Sequence, residues 1–133
     1  MNWKTERVHG TDLDLQEVLA VYRSSGLGDR RPVEDQDTFT AMVRNANLVV
    51  TARIGEELVG IARSVSDFSY VTYLSDIAVS AHHQRSGIGR ALIEETARQA
   101  PTAKIVLLSA PAATAYYPHI GFTQHPSAWV LNP

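Results

Sequence analysis

The chain of 133 residues contains no cysteine, so disulfide bonds, thiolate metal sites and a cysteine nucleophile are all excluded. It has no run of about 18 consecutive apolar residues, the length that predicts a transmembrane helix. Its N-terminal residues also lack the apolar segment of a signal peptide. The net charge is −2, which gives no indication of a nucleic-acid or anionic-membrane partner. These absences predict a cytoplasmic protein.

What the sequence does contain is typical of a globular domain. Hydrophobic residues make up 44% and charged residues 20%, and no repeat or linker divides the chain. We therefore expect a single domain over residues 1–133. The first 60 residues hold ten of the fourteen acidic groups and seven Lys or Arg. This acidic excess favours either a cationic partner or a plain solvated surface.

Hydrophobic patterning predicts an α/β domain with a mixed sheet. The first helix is expected to open at Thr11 or Asp12, where a side-chain oxygen can cap free N–H groups. The predicted order is β-α-α-β-β-β-α-β-α-β-β. After a first strand, the predicted helices cover residues 34–46, 88–100 and 112–119, and the predicted strands cover 48–54, 58–65, 71–79, 104–109, 122–123 and 128–131.

The turn between the strand ending at Val79 and the next helix has the features of an anion-binding site. Gly87 and Gly89 lack a Cβ, so the backbone can curl tightly and a bulky anion can approach its N–H groups. The helix that begins there adds free donors and the positive end of its dipole. Arg85 and Arg90 add charge at the rim. The segment therefore predicts a phosphate-binding nest.

Two other phosphate-binding motifs fit poorly. A Walker A loop needs a Gly-Lys-Ser/Thr ending, which the sequence lacks. A dinucleotide fingerprint needs a third glycine where Leu92 stands, and it places its glycines directly after the strand. Seven residues separate Val79 from Gly87 here. The pattern that remains, Gln-x-x-Gly-x-Gly from Gln84 to Gly89, by itself fits an anion site and a plain turn equally.

Two segments resemble motifs of the GNAT family of N-acetyltransferases. Residues Leu74–Val79, followed by Gln84–Gly89 and Ala91-Leu92, are similar to the family's acetyl-CoA motif. Residues Tyr116–Phe122 are similar to its Tyr-x-x-x-Gly-Phe segment. Both motifs occur in the family's order and spacing, and the element order of the whole chain also fits. The resemblance implies the GNAT fold, acetyl-CoA as co-substrate and transfer of an acetyl group to a primary amine.

The resemblance also implies where coenzyme A binds. The pantetheine arm is expected to pair with the strand edge at Ile77, Ala78 and Val79, like an added strand. Many family members have an asparagine seven residues before the motif tyrosine, and Ala110 replaces it here, so that cofactor contact is weakened or supplied elsewhere. The pyrophosphate is expected on the turn formed by Gln84, Arg85, Ser86, Gly87, Ile88, Gly89 and Arg90.

The reaction implied by the resemblance is direct attack of an amine on the thioester. The absence of cysteine and of a Gly-x-Ser-x-Gly elbow is consistent with it. Tyr117 matches the family's general acid, and its alternative role is a core aromatic. Tyr73 and Ser75 occupy positions that carry a base in some relatives, and we expect them to border the acceptor. Asp76, the only carboxylate on that strand, either acts on the acceptor amine or caps backbone groups in the core.

The residues around the expected acceptor leave its charge open. The first two helices and their connection are expected to wall the acceptor side, so Arg30 and Arg31 there favour an acidic group, whereas the acidic first half favours a basic one. His82 and His83 are expected to border the coenzyme A site. No metal site is expected, because adjacent side chains in extended chain point apart and no third ligand is evident.

Two functions from different classes follow. The first is an enzyme that acetylates a small amine or an amino group on a larger molecule. The second is a non-catalytic acyl-CoA-binding sensor, which the missing base and the missing asparagine favour. A nucleotide-binding module unrelated to coenzyme A is disfavoured by the missing lysine and third glycine. Homodimers are common among such domains, although the sequence displays no dedicated interface.

Overall fold

The computed structural model describes residues 2–133. Within this range, five strands form one sheet in the order β1-β2-β3-β4-β5. Neighbours from β1 to β4 pair antiparallel, and β4 pairs parallel with β5. The mixed α/β architecture predicted from the sequence is confirmed. The strands are β1 (Lys4–Val8), β2 (Leu48–Ile54), β3 (Glu57–Ser66), β4 (Val71–Val79) and β5 (Lys104–Val106), and the helices are α1 (Leu15–Ser25), α2 (Gln36–Asn45), α3 (Ile88–Gln99) and α4 (Tyr116–His119).

The core lies on both faces of this sheet. Apolar residues of α1 and α2, among them Val18, Phe39 and Val43, pack in one cluster on one face. Leu92 and Ile93 of α3 belong to a second cluster on the other face. The fold therefore has helix, sheet and helix layers. The longest helix in the described part of the chain, α3, has 12 residues, and none there is both long and apolar enough to cross a membrane.

The first helix begins later than the sequence predicted. Thr11 and Asp12 belong to a short 3₁₀ turn, and the side chain of Asp14 caps α1 by accepting the backbone N–H of Gln16 at 2.9 Å. Asp35 caps α2 in the same way through Thr38, at 3.1 Å. At the N-cap, the Asp14 carboxylate reaches a free N–H of the first turn of α1, whereas Asp12 lies two residues too early to do so. The predicted opening at Thr11 or Asp12 is therefore wrong.

An irregularity in β4 opens the sheet where the cavity forms. The pairing of β3 with β4 shifts between Arg63↔Asp76 and Ser64↔Leu74, which leaves Ser75 without a partner in the ladder. Such a bulge bends a strand and locally disrupts its ladder of hydrogen bonds. Strand β5 pairs with β4 only over residues 71–73. The rest of β4 consequently has a free edge on that side.

The C-terminal part of the chain departs most from the predicted order. Strand β5 ends at Val106, three residues early, and the segments predicted as strands at 122–123 and 128–131 are not strands. Pro126 has no N–H to donate to a ladder, and the backbone N–H of Ser127 donates instead to Nδ1 of His125 at 3.1 Å. A local turn thus competes with strand pairing there. The prediction of two final strands is wrong.

Candidate active site

A cavity of about 830 Å³ opens at the free edge of β4, a volume typical of small-molecule sites. Its walls come from β4, from the turn before α3, from the end of α1 and from α4 with the segment preceding it. The side chains and backbone of residues distant in sequence therefore meet around one space. The predicted site residues that line it are Ser75, Ile77, Ala78, Val79, Gln84, Arg85, Gly87, Gly89, Arg90 and Tyr117.

The turn before α3 presents unpaired donors to this cavity. Arg85 and Gly87 both adopt left-handed backbone conformations, with φ of 62° and 96°, which turn successive N–H groups toward one side. Within residues 2–133, no backbone N–H from Arg85 to Arg90 has a hydrogen-bond acceptor, and no side chain caps α3. Gln84 and Ser86 hold the turn by donating to backbone carbonyls. We call the backbone N–H groups from Arg85 to Arg90 the cradle. Their arrangement has the form of a site for a phosphate group.

Two predicted turn residues contribute differently from the others. The hydroxyl of Ser86 is used inside the turn, donating to the carbonyl of His83. The side chain of Ile88 is 1% exposed and packs in the core, so only its backbone N–H is available at the cradle. Ala110, at the position of the family asparagine, lines the cavity.

The free edge of β4 lies beside the cradle. Ile77, Ala78 and Val79 pair with β3 on one side, and the described residues provide no strand on the other. Unpaired backbone groups along a strand edge can take up an extended ligand by strand addition. A linear ligand with an anionic end could thus lie along β4 with that end in the cradle.

Tyr117 lines the cavity while its ring remains packed. It contacts the rings of Phe122 and Tyr116 edge to face, each with 5.4 Å between centroids. Burial, and to a lesser extent the neighbouring Tyr116, raises the pKa of the Tyr117 phenol. The hydroxyl is therefore protonated at neutral pH. Tyr117 can therefore pack as a core aromatic and still serve as a general acid, because its ring is packed while the residue lines the cavity.

Asp76 is fully buried, with a side chain 0% exposed. Its Oδ2 accepts the Tyr22 hydroxyl at 2.6 Å and Nε of Arg63 at 2.7 Å. Its Oδ1 accepts Nε of Arg31 at 2.6 Å and the hydroxyl of Ser75 at 3.3 Å. Both carboxylate oxygens are thus occupied by donors from α1, from β3 and from the segment after α1, besides Ser75 of β4 itself.

The protonation of this cluster follows from its contacts. Burial by itself raises the pKa of the Asp76 carboxyl, but the hydrogen bond and charge of Arg63, with Tyr22 and Arg31, outweigh burial and hold the pKa below its ordinary value. Burial, followed by the Asp76 charge, raises the pKa of Tyr22, which stays a neutral donor. An occupied carboxylate of low pKa is a poor base. The geometry favours a structural anchor over a proton-transfer role for Asp76.

Tyr22, Arg63 and Arg31 are the partners that the sequence did not assign to Asp76. A single cation in the otherwise apolar run of β3 is a signal for Arg63, since a charge in a buried strand needs a partner. The structure places Tyr73, expected to border the acceptor, outside the cavity lining, whereas Ser75 is on it. His83 also lines the cavity, and His82 is exposed.

Gly89 offers a direct test of the cradle. A Cβ built there would lie 3.9 Å from the Tyr116 hydroxyl and 4.0 Å from Val79, so a larger side chain fits against protein but projects into the cavity. We expect Gly89→Val to weaken coenzyme A binding roughly tenfold to a hundredfold, because the added side chain keeps the phosphate from reaching at least one N–H of the cradle, and one hydrogen bond to a charged group is worth that much. Isothermal titration calorimetry measures the dissociation constant of coenzyme A for each protein.

The matched control is Ala97→Val, which adds a β-branched side chain at an exposed position of the same helix. It introduces the same valine side chain into α3 without touching the cradle. We expect Ala97→Val to bind coenzyme A as the wild type does. Equal affinities for Gly89→Val and the wild type would show that the phosphates bind elsewhere.

Comparison with known proteins gives a consistent family. Residues 18–130 match a family model described as an acetyltransferase (GNAT) domain. Histone acetyltransferase TAP1 from Glycine max is 28% identical over 131 residues, a match that covers 88% of this chain and 55% of the relative. The chain therefore spans about half the length of that curated relative.

Solved structures share the fold at low sequence identity. The GNAT family protein SP0256 from Streptococcus pneumoniae TIGR4 has a TM-score of 0.77 and 19% identity, covering 99% of this chain and 100% of that one. The aminoglycoside acetyltransferase meta-AAC0020 from an uncultured soil metagenomic sample, in complex with sisomicin, has a TM-score of 0.71 and 18% identity, covering 98% and 95%. At these identities the likeness concerns the fold.

Proposed function

The chain belongs to the GNAT family of acetyltransferases, and from this premise we propose that it transfers an acetyl group from acetyl-CoA to a primary amine by direct attack on the thioester. The observation that carries the proposal is the alignment of three features around one cavity. These are the unpaired N–H groups from Arg85 to Arg90, the free edge at Ile77–Val79 and the Tyr117 hydroxyl.

Each feature has a role in binding acetyl-CoA. The pyrophosphate accepts hydrogen bonds from the cradle, and the guanidinium groups of Arg85 and Arg90 add charge at its rim. The pantetheine arm pairs with the backbone of Ile77–Val79. The thioester then lies toward Ser75, farther from the cradle along β4. Holding it there fixes the reacting carbon relative to the acceptor.

In the proposed reaction, the amine nitrogen forms a bond to the carbonyl carbon and the carbon–sulfur bond breaks. The electron pair leaves with sulfur, which receives the proton of the Tyr117 hydroxyl. The surplus proton on nitrogen passes to solvent, and solvent reprotonates Tyr117. General acid catalysis of this kind typically contributes about 10²- to 10⁴-fold in rate.

The amine must be neutral to attack, and the cavity favours that form without a dedicated base. In the described part of the chain, four arginines and one histidine line the cavity, together with no Asp or Glu. Positive charge nearby disfavours a protonated amine. Because Arg85 and Arg90 face the proposed pyrophosphate, this effect comes from Arg30 and Arg31. The proton itself passes to solvent, so the proposal assigns no proton-transfer role to Asp76.

The names of similar proteins indicate no single acceptor for this one. One relative is a histone acetyltransferase and a fold neighbour is an aminoglycoside acetyltransferase. Acceptor walls vary widely within a fold, so the acceptor has to be inferred from this chain's own residues.

The direct test is to incubate the protein with acetyl-CoA and a panel of amines while thiol release and acetylated product are measured. We expect stoichiometric product and free thiol with at least one amine class. Saturable coenzyme A binding without turnover on any amine would instead support the acyl-CoA sensor, a function that the lack of a carboxylate on the cavity wall favours. Absence of coenzyme A binding would overturn both functions.

A further inference from the structure

The charge on the cavity walls has one sign at both ends. Arg85 and Arg90 stand at the cradle, and Arg30 and Arg31 stand at the opposite end, after α1. Among residues 2–133, no acidic side chain lines this space. The acidic excess of the first 60 residues lies elsewhere, for example at Glu17, which pairs with Arg53. The pair at the cradle is used by the proposed pyrophosphate contact, whereas the pair at the other end has no role in binding coenzyme A.

Arg31 is held in place by its own contacts. Its Nε donates to Oδ1 of Asp76 at 2.6 Å, its Nη2 to the carbonyl of Ser75 at 2.9 Å, and its Nη1 to the carbonyl of Arg30 at 2.8 Å. A guanidinium has five N–H donors, so two have no acceptor within the described residues. The side chain is 22% exposed and lines the cavity. A rigid guanidinium with unused donors is preorganised for a carboxylate.

The buried cluster around Arg31 carries an uncompensated positive charge. Asp76 supplies one negative charge against the two positive charges of Arg31 and Arg63. Tyr22 is a neutral donor in the same cluster. A net positive charge next to a partly desolvated cavity attracts an anion more strongly than the same charge in water. An anion there would complete the charge balance of the cluster.

Arg31 lies next to the proposed reaction centre. The cradle is at the carboxyl end of β4, so an arm that pairs with Ile77–Val79 ends toward Ser75. Arg31 donates to the carbonyl of Ser75 itself. An anionic group bound by Arg31 would therefore lie close to the thioester, on the side from which an acceptor enters.

We propose that Arg31 is a specificity residue that binds a carboxylate of the acceptor, so that the preferred acceptors are small amines carrying a carboxylate, such as amino acids. The inference rests on the proposed acetyltransferase function. Polyamines and other polycationic amines are disfavoured, because they would bring further positive charge against the arginines that line the cavity.

The test compares matched compounds that differ at the carboxylate. Each amino acid in a panel is assayed beside its carboxamide and its decarboxylated amine, and kcat/KM for acetyl transfer is measured. The amide has the less basic amine and the decarboxylated compound the more basic one, so amine basicity alone cannot make the amino acid the best of the three. We expect at least about a tenfold preference for the amino acid.

Variants at position 31 identify the residue responsible. Arg31→Gln should lower kcat/KM for the amino acid by roughly tenfold to a hundredfold more than it lowers kcat/KM for the amide, which removes the preference. Arg31→Lys keeps the charge but loses the planar fork, so its preference should be intermediate. Arg98→Gln removes one positive charge on the exposed face of α3 and serves as the control. Thermal unfolding and coenzyme A affinity report whether each variant is folded.

Binding measured without turnover separates this inference from the proposed function. Calorimetry on the protein loaded with coenzyme A should show tighter binding of amino acids than of their amides. If the amino acids bind selectively but no acetyl is transferred, the transferase proposal fails and the carboxylate site stands. Equal binding of acid and amide, binding of no carboxylate, or a preference that survives in Arg31→Gln overturns the inference while transfer to other amines continues.

Discussion

Replacement of Tyr117 by phenylalanine is expected to lower kcat for acetyl transfer by about a hundredfold or more, while the affinity for coenzyme A stays near the wild-type value. The ring of Tyr117 packs against Phe122 and Tyr116, and phenylalanine preserves that packing. The variant therefore removes the proton donor of the leaving sulfur and little else. General acid catalysis is worth about 10²- to 10⁴-fold, which sets the expected size. Steady-state kinetics and calorimetry measure the two quantities.

Two further variants make this result specific. Tyr70→Phe removes an exposed phenol that is bonded by Lys104, outside the cavity lining, and should keep the wild-type rate. Tyr116→Phe tests the neighbouring hydroxyl, which lies at Gly89 of the cradle. A larger loss of kcat in Tyr116→Phe than in Tyr117→Phe would transfer the acid role to Tyr116. An unchanged rate in both would show that solvent protonates the sulfur.

Replacement of Asp76 by asparagine is expected to lower the free energy of unfolding by about 3–5 kcal/mol, the range found when one partner of a buried ion pair is removed. The change leaves Arg63, with a side chain 10% exposed, and Arg31 without their counter-charge. The two guanidinium groups would then repel each other across the same buried space. Urea unfolding at neutral pH measures the change. Asp12→Asn, at an exposed acid, is the control.

The effect of acid follows from the direction of the pKa shift. Because the folded protein holds the pKa of Asp76 below its ordinary 3.8, the unfolded chain takes up this proton first as pH falls. The stabilisation by Asp76 is therefore complete well above pH 3.8 and is lost as pH drops from that value through the folded pKa. The stability difference between the wild type and Asp76→Asn should shrink over this interval.

The same variant distinguishes a structural anchor from the role on the acceptor amine that the sequence left open for Asp76. The other role left open, capping of backbone groups, is not observed, because the donors that the Asp76 carboxylate accepts in the described residues are all side chains. An anchor predicts a large loss of stability, together with an unchanged pH dependence of the rate in whatever fraction stays folded. A proton-transfer group predicts near-normal stability with a large loss of kcat. An unfolding free energy within about 1 kcal/mol of the wild type would contradict the buried-charge argument.

The sequence predicted β4, which borders the cavity, and its more distant neighbour β2 because their signals are local. Strands β2 and β4 have the predicted bounds, and α3 begins at the predicted Ile88. Apolar runs, glycine positions and helix starts depend on residues only a few positions apart. The prediction of two C-terminal strands was wrong because strand formation there depends on residues distant in sequence. A strand needs a partner edge, and the local pattern at 128–131 cannot show whether one is available.

By itself, the sequence determined the family, the position of the cradle at Arg85–Arg90 and the residue types beside it, because a glycine-containing turn before a helix specifies its own donors. The tertiary structure alone decided what surrounds Asp76. Its partners Tyr22 and Arg31 lie 54 and 45 residues away along the chain. Charge pairing depends on distance in space, so only the folded chain shows that the carboxylate is occupied and that the cavity wall is left cationic.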